Sequence, residues 1–218
     1  MANDKDKKLK KVRAMKRAKV MIQGTPAFYI HNRVRKIPSV VFLHGEGFNA
    51  KTWVDTESMQ MLADNGISAI SMDLPNTLHS YTTNLYPETW LKAFLDRTKI
   101  FNPVIVTPSI AGSYTIPFMF KNKSRISGLV AVAPVDLQKY QGKYASLNIP
   151  VLAIWGEEDT TVPVNYGDSL IGEIKNGNGS KKDKSKIKKI KNAGHAPFMD
   201  NPKEFNDILL DFLVNDVG

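Results

Sequence analysis

Continuous apolar runs of strand length recur along the chain: "SVVFLHG" (39–45), "SAISMDLP" (68–75), "NPVIVTPS" (102–109), "SGLVAVAP" (127–134) and "IPVLAIWG" (149–156). None alternates apolar with polar, so each is expected as a strand buried on both faces. The segments between them follow a helical rhythm. Residues 52–65 place Trp53, Met59, Met61 and Leu62 ahead of a stop at Asn65-Gly66. "PETWLKAFLDRTK" (87–99) is amphipathic, with Pro87 near its start, and residues 110–123 continue directly from the run that ends at Ser109. Helices are also expected at 164–175 and 202–214, the latter opening on Asn201-Pro202 as N-cap and first helical residue. At the N-terminal end, "KVMIQGTPAFYIHNRV" (19–34) puts two short apolar runs around Gly24-Thr25-Pro26, the signature of an antiparallel hairpin. Repeated strand–helix alternation predicts an α/β domain with a mostly parallel, doubly wound sheet and helices on both faces.

Composition narrows the chemistry. The 218 residues contain no cysteine, which excludes a disulfide framework, a thiolate nucleophile and any cysteine-ligated metal. Hydrophobic residues at 42% fit a single domain with a substantial core. No apolar run reaches the ~18–20 residues that span a bilayer, and the expectation is a soluble chain of the cytoplasm, with the nucleus as a further compartment. The net charge of +9 is concentrated: residues 1–19 carry +7 and residues 175–191 carry another +7, so the body is net −5. Residues 1–18 are therefore expected as a basic flexible tail, 19–218 as the domain, and 175–191 as a lysine-rich loop insertion. Neither lysine run contains an aromatic residue, which argues against nucleic-acid binding.

In open α/β sheets, sites lie beyond the carboxyl ends of the strands. The polar residues there are His44, Glu46, Asp73, Ser109, Asp136, Asp159 and His195. Ser109, Asp159 and His195 follow three different strands in the chain order Ser–Asp–His, the order of a nucleophile, its acid and its base on such sheets. A serine hydroxyl needs a histidine to take its proton, and the histidine needs a carboxylate to fix its tautomer. Taken singly, Ser109 also reads as a helix N-cap, Asp159 as a loop carboxylate and His195 as a turn residue. Asp136 is the rival acid; the loop "GEEDTTVP" presents Asp159 at a tip, whereas Asp136 opens a polar connection. The serine lacks the flanking glycines of G-x-S-x-G: Thr107 and Ala111 stand in their places, with Gly112 one residue on. Thr107 is β-branched and stiff, so its side chain is expected to turn away from the following helix, or the turn to open slightly.

"VVFLHGEGFNAKTW", "DLPNTLHS", "TPSIAGSYTIPF", "VAPVD", "YASLNIPVLAIWGEED" and "NAGHAPFMDNPKEFNDILLDFL" resemble, in order and spacing, the α/β-hydrolase superfamily. Within it the chain is similar to the alpha/beta-hydrolase domain-containing protein 14 family, also called cell-cycle-gene-one interacting factor B. The resemblance covers about residues 19–215 and implies an α/β-hydrolase fold without a cap domain. It implies Ser109 as nucleophile, Asp159 as acid and His195 as base, with the backbone N–H groups of Glu46 and Ile110 as an oxyanion hole. The implied activity is hydrolysis of esters or related short acyl groups through an acyl-enzyme. Transfer of an acetyl group from protein lysine to coenzyme A is one alternative, and a catalytically silent interaction module is another. Neither metal nor resident cofactor is implied. The expected partners are a small acyl substrate or an acylated protein, together with the protein partner that the family name records. The family's usual turn Asp-Leu-Pro-Gly-x-Gly-His-Ser here reads "DLPNTLHS": Asn76 tolerates a left-handed backbone, Leu78 does so only at a cost.

Only about fifteen residues separate Pro134 from Ile149, too few for a cap, so a shallow site is expected, with Trp53, Tyr114 and Phe198 as candidate wall residues. The Glu46 side chain is expected to face solvent, leaving its N–H for the site.

Overall fold

The computed structural model describes residues 15–34, 39–77, 80–122, 124–177 and 184–217. Eight strands form one sheet: β1 (Lys16–Ile22), β2 (Thr25–His31), β3 (Val40–Phe42), β4 (Ala69–Met72), β5 (Val104–Pro108), β6 (Gly128–Val132), β7 (Val151–Gly156) and β8 (Lys186–Ile190). Their order is β1-β2-β4-β3-β5-β6-β7-β8. The pairs β1–β2 and β2–β4 are antiparallel and all others parallel. Every residue of β3 to β7 is buried, as the unbroken apolar runs require.

The hairpin turns at Gln23 and Gly24, both with positive φ (47° and 83°), the geometry whose twist matches paired strands. Its first strand starts at Lys16, inside the segment expected as a tail, because Lys16 to Ile22 pair in unbroken register with His31 to Thr25. The rest of that tail lies outside the described residues.

Seven helices flank the sheet in the described parts: α1 (Thr52–Asp55), α2 (Ser58–Asp64), α3 (Pro87–Arg97), α4 (Gly112–Lys121), α5 (Asn165–Asn176), α6 (Pro197–Asp200) and α7 (Pro202–Phe212). On one face α3, α4 and α5 bury Trp90, Phe94, Phe118 and Ile174 with Ile105 and Ala153; on the other, α1, α2, α6 and α7 bury Trp53, Leu62, Phe198 and Phe205 with Val106 and Ile154.

Two expectations are corrected. The single helix over 52–65 is two helices, broken at Glu57, whose φ is 62°. The Ser58 hydroxyl there donates to Asn206 of α7 (2.6 Å), and the Asn206 amide donates to the Thr56 carbonyl (2.8 Å), so the break is fastened to a neighbouring helix. Part of the lysine-rich segment is a strand. β8 pairs with β7 from Lys186↔Leu152 to Ile190↔Gly156, two of its lysines engaged by acids from α5, α7 and the residues after α7. Lys186 meets Asp211 and Asp216, and Lys189 meets Asp168. Residues 178–183 of the segment lie outside the described residues.

Candidate active site

Ser109 sits where β5 becomes α4. Pro108 is extended (φ −88°, ψ 142°) and Ser109 has φ 47°, a left-handed conformation that costs an L-residue energy and turns the chain sharply. One three-residue 3-10 turn, Ser109–Ala111, leads into α4. The Val135 N–H donates to the Ser109 carbonyl (2.9 Å), fixing the turn to the loop after β6. A Cβ on Gly112 would lie 2.3 Å from the Val135 carbonyl oxygen, so the close approach that demands glycine falls at position 112 here.

Thr107 is fully buried, and its Oγ1 finds no hydrogen-bond partner. Strand alternation puts its side chain on the face of Ile105, the face that α4 covers. It therefore does not turn away from the following helix, the first of the two outcomes expected for it.

His195 lies in the loop after β8. Its Nε2 is 2.9 Å from Ser109 Oγ, and its Nδ1 is 2.9 Å from Asp159 Oδ2. The Asp159 side chain is wholly enclosed, and its other oxygen accepts from the Thr161 and Val162 N–H groups (2.8 and 3.0 Å). An ionised carboxylate only accepts, so the proton of a neutral His195 sits on Nδ1 and Nε2 is left to accept from the serine. The loops carrying the pair are stitched together. The Glu158 N–H donates to the Ala193 carbonyl and the Gly194 N–H to Asp200, while a Cβ on Gly156 would fall 2.1 Å from the Gly194 oxygen. Asp136 takes no part: it adopts φ 68° and pairs with Lys139 at 2.8 Å.

The loop after β3 passes beside the serine. A Cβ on Gly45 would be 3.5 Å from Ser109 Cβ. Glu46 follows with an exposed side chain, as expected. Ile110, in the first turn of a helix, has an N–H without an intrahelical acceptor. The loop is held from below by His44, buried to 1% exposure. His44 Nδ1 donates to the Gly45 carbonyl, and the Leu74 N–H donates to Nε2, each at 2.9 Å, which uses both ring nitrogens of the neutral form. Burial lowers its pKa, partly opposed by the Gly45 carbonyl and the charges of Asp73 and Glu46. Asp73 adds a second tie, accepting from the Ala50 N–H at 2.8 Å. Sequence reading places His44 and Asp73 at strand ends but assigns neither a supporting role, because their partners Leu74 and Ala50 are brought to them only by the fold.

Tyr114 completes the brace: its hydroxyl donates to the Pro75 carbonyl (2.6 Å), joining α4 to the loop after β4. Burial, with the Glu46 charge, pushes its pKa up to about 12. In that loop Asn76 has φ 56°, as its tolerance of that region suggested; Leu78 lies outside the described residues. The three expected wall residues belong to the core. Tyr114 is 4% exposed; Trp53 is fully buried, donates to the Leu43 carbonyl (2.7 Å) and stacks near Phe42 and Phe198; Phe198 is 2% exposed. Each ring contributes more by leaving water than by facing it.

A mostly parallel eight-stranded sheet, with a strained serine at the end of its central strand and a histidine and an aspartate delivered by later loops, is the architecture of an α/β hydrolase. Its closeness to known proteins supports that class. The chain superposes on a CIB-like hydrolase of Thermoplasma acidophilum with a TM-score of 0.81 at 21% identity, covering 92% of this chain and 98% of that one, a likeness of fold. It is 31% identical over 183 residues to human ABHD14B, named as a candidate protein-lysine deacylase, covering 80% of this chain and 82% of that protein. It is 32% identical over 180 residues to zebrafish (Danio rerio) ABHD14A, covering 80% of this chain and 63% of that protein, so the match spans a little under two thirds of that relative. No protein-family model matches. The chain belongs to the ABHD14 family, the alpha/beta-hydrolase domain-containing protein 14 group. Among the described residues no helix is long and apolar enough to cross a membrane.

Proposed function

We propose that the protein is a serine hydrolase of short acyl esters, with Ser109 as nucleophile, His195 as general base and Asp159 as the acid that orients it. The observation that carries this reading is the 2.9 Å contact of Ser109 Oγ with a His195 Nε2 whose opposite nitrogen meets a buried carboxylate. Ser109 Oγ attacks the acyl carbonyl as its proton passes to Nε2, and the carbonyl π electrons move onto oxygen. The N–H groups of Ile110 and Glu46 donate to that oxyanion, each worth about 3 kcal/mol of barrier. The tetrahedral intermediate collapses, the bond to the leaving group breaks, and that group departs with the proton from His195. Water, deprotonated in turn by His195, attacks the Ser109 ester and releases the carboxylic acid.

A second reading draws on the name of the human relative: the acyl donor is an Nε-acyl-lysine of a protein; with it goes the acceptor that the family resemblance implies, coenzyme A in place of water. Both use the same serine. Turnover of p-nitrophenyl acetate and labelling by a fluorophosphonate are expected for the wild type. Ser109→Ala should lower turnover at least about a thousandfold and abolish labelling. An Nε-acetyl-lysine peptide with and without coenzyme A then separates the two readings, since only the second yields acetyl-coenzyme A. A wild type that neither turns over nor labels is a silent interaction module.

A further inference from the structure

A half-open cavity of ≈ 670 Å³ lies behind the loop that follows β3, and neither Ser109 nor His195 lines it. Its size falls within the range of small-molecule pockets, about 300–1,000 Å³. β2 contributes Phe28 and Ile30, and the segment leading into α1 contributes Phe48 and Val54. Towards the hairpin turn this face is open: Met21, on the same side of β1 as Arg17, is 47% exposed.

The mouth carries cations. Arg17 of β1 and Lys51, just ahead of α1, both line the cavity. Arg17 lies over the Phe28 ring (5.7 Å to its centre), and its side chain is 73% exposed. Lys19, also exposed, stands directly across from Phe28 in the hairpin register. Two carboxylates are near. Asp73 is 3.6 Å from Arg17, beyond a good hydrogen bond, and is already engaged by the Ala50 N–H; Asp55 is held by Lys51. Glu46 also stands close enough for its charge to act on His44, which lines the cavity with Asp73 and Thr77. Arg17, held only at 3.6 Å by the Asp73 carboxylate, and the exposed Lys19 are the cations that can turn to a ligand's anion, beside the apolar surface of Phe28, Ile30, Phe48 and Val54.

We propose that this cavity is a second binding site, for an anionic amphiphile such as a carboxylate with a medium alkyl chain. The chain lies against Phe28, Ile30, Phe48 and Val54, and the carboxylate meets Arg17 and Lys19. The site touches the catalytic loop through Phe48, whose ring comes within 3.3 Å of where a Gly45 Cβ would lie, yet it does not depend on the hydrolase reading.

Dodecanoate and dodecanol are titrated calorimetrically into the full-length Ser109→Ala protein, which removes any contribution from turnover. Dodecanoate should bind at least tenfold tighter than dodecanol. Arg17→Glu with Lys19→Glu should erase that preference while dodecanol binding persists. Val54→Trp, which fills the cavity from α1, should weaken both at least tenfold, with circular dichroism confirming that each variant is folded. Equal affinity for acid and alcohol, or Val54→Trp binding like its parent, overturns the proposal. Failure here leaves fluorophosphonate labelling of the wild type untouched, so the two claims fall separately.

Discussion

A single methyl group at two helical glycines should have opposite effects. At Gly112 the added carbon meets the Val135 carbonyl at 2.3 Å and Pro134 Cβ at 3.0 Å, both parts of the loop that fastens the serine turn. Neither can yield without moving α4 or the loop, so Gly112→Ala should cost about 1–3 kcal/mol in denaturant unfolding and sharply slow fluorophosphonate labelling. At Gly172, exposed on α5, nothing lies within 4 Å. Gly172→Ala should therefore stabilise by up to about 1 kcal/mol and leave labelling at the wild-type rate. His44 gives a pH prediction at the same scale. Its folded pKa is lowered from the ordinary 6.5, chiefly by burial. Below pH 6.5 the unfolded chain binds a proton that the folded His44 refuses, so stability present above that pH is lost as pH falls towards the folded value. His44→Gln can still accept from Leu74 and donate to Gly45. Its melting temperature should fall less than that of the wild type between pH 7 and pH 5; parallel curves would deny His44 this role.

Elements form where local pattern and tertiary surroundings agree, and α7 shows both. Asn201 accepts from the Glu204 N–H (3.3 Å) while its amide donates to the Glu204 carboxylate (2.6 Å), a reciprocal cap that the Asn-Pro start announces in sequence. Asn201→Ala should cost about 1 kcal/mol, read as a shift in urea midpoint at constant slope. The same pattern logic made the sheet legible: β3 to β7 are too apolar to be anything but central strands, and Ser109 and Asp159 stood out because each ends or follows one, with His195 completing the chain order Ser–Asp–His. What stayed hidden depends on partners far away in sequence. β8 reads as a charged loop because its lysines need Asp168, Asp211 and Asp216 to be visible as neighbours. The break at Glu57 is fixed by Asn206, about 150 residues on. Trp53, Tyr114 and Phe198 fit a pocket wall by type, and only packing shows that their rings are enclosed. His44 was visible as part of a His-Gly pair, but its two-sided brace required the position of Leu74.

At the scale of the molecule, charge and chemistry are separated. The two basic segments each carry +7 against a body of −5. Ser109, Asp159 and His195 are fixed by the ends of β5 and β7 and by the loop after β8, all within that body. In the second segment Lys186 and Lys189 are neutralised by surface acids, pairs worth no more than about 1 kcal/mol each and screened by salt. Among the described residues, the first segment enters the sheet at Lys16, where pairing with His31 begins. Removing residues 1–14 therefore takes away cations without removing any strand, cap or site support described above. The truncated protein should hydrolyse p-nitrophenyl acetate with kcat/KM within twofold of the full chain, at both low and high salt, and should be labelled at Ser109 at the same rate. A fall of tenfold or more would mean that the basic segment takes part in the site, and a loss seen only at low salt would identify that part as electrostatic.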